Sequence, residues 1–220
     1  MYKRQPLIKT LNSHKNYLGL VCDLTDEAAV EQSLDDGVFY FGGIDMIVLN
    51  AGIFPEGKKV SDLSSKEWNK VFSINLDANF NLLRGVYPLL KAAPNYGRVV
   101  VIGSKNVPAP GPGAAAYSSS KAALNQLMRV LSIEWGCDGI RLNTLHPNAV
   151  FDTGIWTKDV LNSRARNYGL SVDEYKTNNL LGVEIKSEDV SELAAEMCGP
   201  LFSKTTAAQV PIDGGNERVI

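Results

Sequence analysis

The chain has 220 residues, 45% of them hydrophobic and 21% charged, with a formal net charge of −2. That length builds one well-buried core and leaves no room for two large domains. No basic block points to nucleic acid, no apolar run approaches the roughly 20 residues of a membrane span, and no apolar leader opens the chain. Cys22, Cys137 and Cys198 are scattered and form no metal or disulfide spacing. They suit a reducing, cytoplasmic setting without a metal site.

In chain order, residues 17–22 form a short apolar run ending at Asp23. Thr25 is placed to cap a helix, with Asp26 and Glu27 in its first turn and Gly37 to close it. Residues 46–49 are a second apolar run, ending at Asn50. Ser64 and Glu67 have capping-box spacing and open a long helix to about Lys91. Residues 99–102 run into Gly103 and Ser104. Leu124, Leu127, Met128 and Leu131 give one apolar face to a helix over about 114–135, with Gly136 as its stop. Residues 140–145 and 210–212 are weaker strand candidates. Between them a helix carries Val190, Leu193, Ala194 and Met197, and Gly199-Pro200 ends it. Continuous apolar runs suit strands covered on both faces. The alternation predicts an α/β fold with a mainly parallel sheet. Ligands then bind beyond the carboxyl ends of the strands, which singles out Asp23, Asn50-Ala51-Gly52, Ser104 and His146-Pro147-Asn148.

Tyr117 and Lys121 are four apart on a predicted helix and share a face. An ammonium beside a phenol lowers a pKa that starts near 10, and such a tyrosine serves as a general acid/base. Tyr87 and Lys91 have the same spacing. Context separates the pairs: Ser104 stands thirteen residues before Tyr117 at a strand end, whereas Ile74 holds that offset before Tyr87.

These residues, taken in order, resemble the short-chain dehydrogenase/reductase family. The pieces are Asn50-Ala51-Gly52, Asn75, Ser104, Tyr117, Lys121, Arg141-Leu142-Asn143, Pro147 and Asp213-Gly214-Gly215. The resemblance implies a Rossmann-like, doubly wound parallel sheet and an NAD(P)-dependent oxidoreductase. It implies that Tyr117 exchanges the proton, Ser104 holds the substrate oxygen, and Lys121 tunes the tyrosine and binds the nicotinamide ribose. Asn75 would hold a relay water. Asp23 and Leu24 would meet the adenine, Asn50, Ala51 and Gly52 the adenosine side, and Pro147, Val150 and Thr153 the nicotinamide end. NAD is the expected cofactor, with NADP left open. The long helices around Asn75 and Leu124 would make a homo-oligomer.

Departures accompany the match. Asn148 and Ala207 stand where the family has glycine, and Asn148 is expected to keep its turn by adopting positive φ. No strand and glycine-rich phosphate loop precede residue 17; Gly111-Pro112-Gly113 follows prolines, not a strand, and is rejected as such a loop. Residues 17–220 are therefore read as a dehydrogenase domain lacking its first βαβ unit, with a substrate lid at about 152–186. Residues 1–16 are read as a remnant, non-native over 1–5. Such a chain is expected to lose central strands, bind cofactor weakly and be inactive alone. The stretches 103–113, 146–156 and 209–220 resemble the dehydrogenase half of bifunctional rhamnulose-phosphate aldolase/short-chain dehydrogenases. That resemblance implies lactaldehyde as substrate and an upstream aldolase domain. A non-catalytic assembly module and a sugar-nucleotide epimerase are the alternative readings. His146 is read as a satisfied structural histidine, His14 as solvated, and Trp156 as a pocket-lining or packing aromatic.

Overall fold

A computed structural model describes residues 15–215, so residues 1–5, His14 and the tail after Gly215 lie outside the described part. The sheet has four parallel strands in sequence order, β1 (Met46–Leu49), β2 (Arg98–Ile102), β3 (Arg141–Pro147) and β4 (Gln209–Ile212). Helices α1 (Glu27–Phe41), α2 (Ser65–Phe72), α3 (Ala78–Lys91) and α4 (Ala115–Trp135) precede β3. Helices α5 (Lys158–Asn167), α6 (Val172–Lys176) and α7 (Ser187–Cys198) lie between β3 and β4.

The apolar run of β2 is explained by two covered faces. Val99 and Val101 join Leu49, Leu83, Val86, Leu90, Leu124 and Met128 in one core. Val100 points the other way, into a second core with Leu145, Ala194, Met197 and Cys198. Alternate side chains of one strand thus feed both layers, as the pleat requires. β1 is different: Leu49 is buried, but Met46 and Val48 are about half exposed.

Several expectations are corrected. Residues 17–22 carry no strand. In the family's strand order, 3-2-1-4-5-6-7, their place is three positions out from β1, and among the described residues nothing occupies the two positions between to supply a ladder. The cap of α1 is Asp26, which accepts from the amides of Ala28 and Ala29 at 3.0 and 3.3 Å. Thr25 stands one residue before the cap position, and its hydroxyl donates back to Asp23 at 2.8 Å. Gly37 lies inside α1, and the helix ends at Gly42 with φ 85°. Gly136 continues helically with φ −60°, and Gly139 takes the left-handed conformation, φ 76°.

The Ser64–Glu67 capping box forms in full. The helix it opens is interrupted by a π-helical turn, Ser73–Asp77, before α3. Pro88 sits inside α3 without ending it.

Candidate active site

Every element of the site arrives at the carboxyl end of the sheet. β1 delivers Asn50-Ala51-Gly52, β2 delivers Ser104, β3 delivers Pro147, and the first turn of α4 carries Tyr117. Lys121 follows one helical turn later, buried with 5% of its surface exposed. Its Nζ donates to the Ile102 carbonyl at the end of β2, at 2.8 Å. Burial without a counter-charge lowers its pKa to about 8.

Tyr117 is half-buried and lies close enough to Ser104 for the serine to act on its pKa. The ring of Phe54 packs edge-on against it, centroids 4.6 Å apart. Desolvation raises the phenol pKa, and Ser104 offsets only part of that. This corrects the expectation that Lys121 lowers it. The lysine shares the face but spends its bond on Ile102, and burial weakens its own charge.

Asn75 is fully buried in the π-helical turn. Its Oδ1 accepts from the Ile53 amide at 2.8 Å, and its Nδ2 donates to the Ile53 carbonyl at 3.0 Å and to Ser120 Oγ at 3.1 Å. Both amide protons are used, so the side chain is a brace between the β1 loop and α4. Ser120 completes it by donating to the Tyr117 carbonyl at 2.8 Å. Gly52 lies against this group: a Cβ there would come within 3.2 Å of Asn75 Oδ1 and 3.5 Å of Lys121 Nζ. The bare backbone therefore lets the loop after β1 pack directly against Asn75 and Lys121.

The remaining cofactor candidates are dispersed. Asp23 is exposed and holds Thr25, whose bonds keep the carboxyl below its usual range. Leu24 is half-buried. The Pro147 carbonyl accepts from the Lys105 amide at 3.0 Å, and the Val150 carbonyl accepts from Thr153 Oγ1 at 2.9 Å. The turn after Pro147 survives by another residue than expected: Ala149, not Asn148, has positive φ, 51°. Ala207 likewise takes φ 59° where glycine is usual. Segment 152–186 is closed at its base, where Asp152 accepts from the Ser187 amide and hydroxyl at 3.0 and 2.6 Å. Within it Trp156 packs on Phe151, centroids 4.8 Å apart.

Sequence reasoning missed Asn106, Phe54 and the buried Lys105–Asp213 ion pair. The Asn106 amide donates to Ser104 Oγ at 3.1 Å, and its Oδ1 accepts from the Gly111 amide at 3.2 Å. An Asn two residues after a strand-end Ser was a readable turn signal. Lys105 and Asp213 gave none, being 108 residues apart. Among the described residues no group of three His, Cys, Asp or Glu is placed to hold a metal, and no helix is long and apolar enough to cross a membrane.

Comparison with known proteins agrees with this geometry. A family model described as enoyl-(acyl carrier protein) reductase matches residues 3–217. The chain belongs to the short-chain dehydrogenase/reductase family. Within that family it is similar to the uncharacterized oxidoreductase YuxG of Bacillus subtilis strain 168, 33% identical over 198 residues. That match covers 88% of this chain but 29% of YuxG. An uncharacterized NAD-dependent oxidoreductase of Mycobacterium tuberculosis, MT0715, is 30% identical over 194 residues, covering 88% of this chain and 70% of the relative. The crystal structure of sorbitol-6-phosphate 2-dehydrogenase SrlD from Erwinia amylovora superposes with a TM-score of 0.86. It covers 98% of this chain and 85% of that one at 22% identity, a likeness of fold.

Proposed function

We propose that this short-chain dehydrogenase/reductase moves a hydride between a nicotinamide cofactor and a small hydroxy-aldehyde or sugar-derived alcohol or aldehyde. The observation that carries the reading is Ser104 lying close enough to Tyr117 to lower its pKa, with Lys121 buried one helical turn on. A substrate oxygen bound between the two hydroxyls would accept from both. The bound cofactor supplies or accepts the hydride. The chain's own groups do the rest. Ser104 orients the oxygen, Tyr117 gives or takes its proton, Lys121 faces the ribose, and Asn75 braces the β1 loop against α4. NAD is the preferred cofactor, in keeping with the printed description of the Mycobacterium relative.

The raised Tyr117 pKa leaves the phenol protonated at neutral pH, ready to donate. Carbonyl reduction is therefore expected to be flat through neutral pH. Alcohol oxidation needs the phenolate and should accelerate as pH rises. An aldehyde can enter the same oxidation as its hydrate: the hydroxyl proton goes to Tyr117, the hydride to the nicotinamide, and an acid remains. Lactaldehyde is the substrate we propose, on the resemblance of stretches 103–113 and 146–156 to the rhamnulose-phosphate aldolase fusions. An aldolase upstream would release it. Self-association through α3 and α4 is part of the same reading, supported by the exposure of Phe80, Val130 and Ile133.

The test is turnover of lactaldehyde with NAD, read as NADH formation. Tyr117→Phe should lower kcat by about 10²–10⁴. Equal turnover in the variant would remove Tyr117 from the role. NAD titration tests a second point. Among the described residues no glycine-rich turn joins a strand to a helix, so the pyrophosphate has no backbone cradle there. Weak binding by this 220-residue chain is expected, and ordinary micromolar affinity would overturn that expectation.

A further inference from the structure

Ser104 lies two residues beyond the end of β2, outside the ladder that fixes the strand. The backbone on either side of it is tied to β3, Gly103 donating to the Leu145 carbonyl at 2.7 Å and Lys105 to the Pro147 carbonyl at 3.0 Å. The Ser104 amide between them turns instead to a side chain of that strand, His146, 5% exposed. Its Nδ1 lies 3.2 Å from the Ser104 amide nitrogen and 3.0 Å from the Ser104 carbonyl oxygen. Its Nε2 lies 2.7 Å from Gln209 Oε1, at the start of β4.

Gly103 is what lets the ring approach. A Cβ at Gly103 would sit 2.7 Å from His146 Nδ1 and 2.9 Å from Cε1, inside any real contact distance. The imidazole therefore lies flat against the backbone that leads into Ser104. The tautomer follows from the far side. Gln209 presents its carbonyl oxygen, so Nε2 carries the proton and donates it. Nδ1 is then a bare acceptor, and its partner is the Ser104 N–H. Rotating the Gln209 amide by 180° would put the proton on Nδ1 and exchange this partner for the Ser104 carbonyl.

We infer that His146 is a positioning residue for Ser104, and that Gln209 selects the imidazole tautomer that accepts from the Ser104 amide. The inference deepens the proposed function, because it matters to catalysis only if Ser104 holds a substrate oxygen. The contact itself stands independently of that reading.

Two measurements keep the claims apart. The chain has only His14 and His146, so its ¹⁵N-labelled imidazole spectrum holds two rings, and His14→Gln assigns them. At a pH where both are neutral, His146 should carry its proton on Nε2. Gln209→Leu should populate both tautomers, and Gln209→Glu should keep Nε2–H. A proton on Nδ1 in the unaltered chain would overturn the tautomer assignment. The second measurement compares His146→Asn, whose Oδ1 replaces the Nδ1 acceptor, with His146→Leu, which fills the space without one. Exchange of the Ser104 amide should quicken about tenfold in the leucine variant and stay near the parent rate in the asparagine variant. Turnover of lactaldehyde with NAD should fall about tenfold to a hundredfold in kcat, with KM little changed, in the leucine variant only. Equal behaviour of the two variants would reduce His146 to a packing role. If the parent chain turns over no lactaldehyde even at an NAD concentration that saturates it, the substrate reading fails, while the tautomer and exchange results still decide the inference.

Discussion

The spacing Tyr-x-x-x-Lys occurs twice, on two helices packed over the same face of the sheet. At Tyr87 and Lys91 an acid intervenes. Asp138 accepts from the Tyr87 hydroxyl at 2.7 Å and pairs with Lys91 at 2.8 Å. That carboxylate raises the pKa of the phenol and of the ammonium together. At Tyr117 and Lys121 no acid contributes to either shift; the lysine meets a carbonyl and the tyrosine lies beside Ser104. Burial then pushes the lysine down to about 8. One pair is locked in its protonated form by a surface ion pair; in the other the lysine alone is brought toward neutral pH, while burial holds the phenol up. Spacing places two groups side by side, and the third group beside them decides their chemistry.

Substitutions at matched positions sharpen the contrast. The largest effect should be on turnover. Tyr117→Phe is expected to remove two to four orders of magnitude, as above, whereas Tyr87→Phe should leave kcat and KM where they were. A loss of turnover in Tyr87→Phe, in protein that stays folded, would break the distinction.

The next effect is on stability and its pH dependence. Burial brings the Lys121 pKa down from the ordinary 10.5 to about 8 in the folded chain. Between those values the unfolded chain binds more protons than the folded one, so stability should climb as pH rises from about 8 to 10. The climb is up to about 3 kcal/mol, at 1.36 kcal/mol per unit. Lys121→Met should flatten that limb and raise stability at pH 7 in urea melts. Lys91→Met should do neither.

The smallest effect lies at the acid end. The Asp138 carboxyl is held below its ordinary value of 3.8, with the Lys91 and then the Tyr87 bonds as causes. Its contribution is present above that pH and is lost as pH falls through the lower folded value. Tyr87→Phe should make the acid limb of a thermal melt shallower by a small, measurable amount. An unchanged limb would mean the bond contributes nothing in solution.

The candidate site was picked out in the sequence because its parts are local or ordered along the chain. Tyr117 and Lys121 share a turn of helix, and Ser104 marks a strand end that the run 99–102 announces. The Ser64–Glu67 box was readable for the same reason. What escaped depends on partners distant in sequence. Lys105 waits for Asp213, and Asn75 spends its amide on Ile53 and Ser120 rather than on a neighbour in its own helix. The strand expected at 17–22 failed for a related reason. Its apolar pattern is real, but a strand is a property of a pair, and the described sheet ends at β1.

The π-helical turn at Ser73–Asp77 carries one last consequence, best put in clock-face terms. At about 100° per residue, an unbroken helix from Ser65 to Lys91 would point Val71 roughly a quarter-turn away from the buried line of Leu83, Val86 and Leu90. The Ala78 amide bonds back to Ser73, five residues away, so the turn absorbs one extra residue and winds the hands back by that angle. Val71, Asn79, Leu83, Val86 and Leu90 then keep the same hour. Deleting the Ser73 codon would therefore let α2 and α3 merge into one regular helix with its apolar residues still at one hour, and would cost only the bulge that carries Asn75.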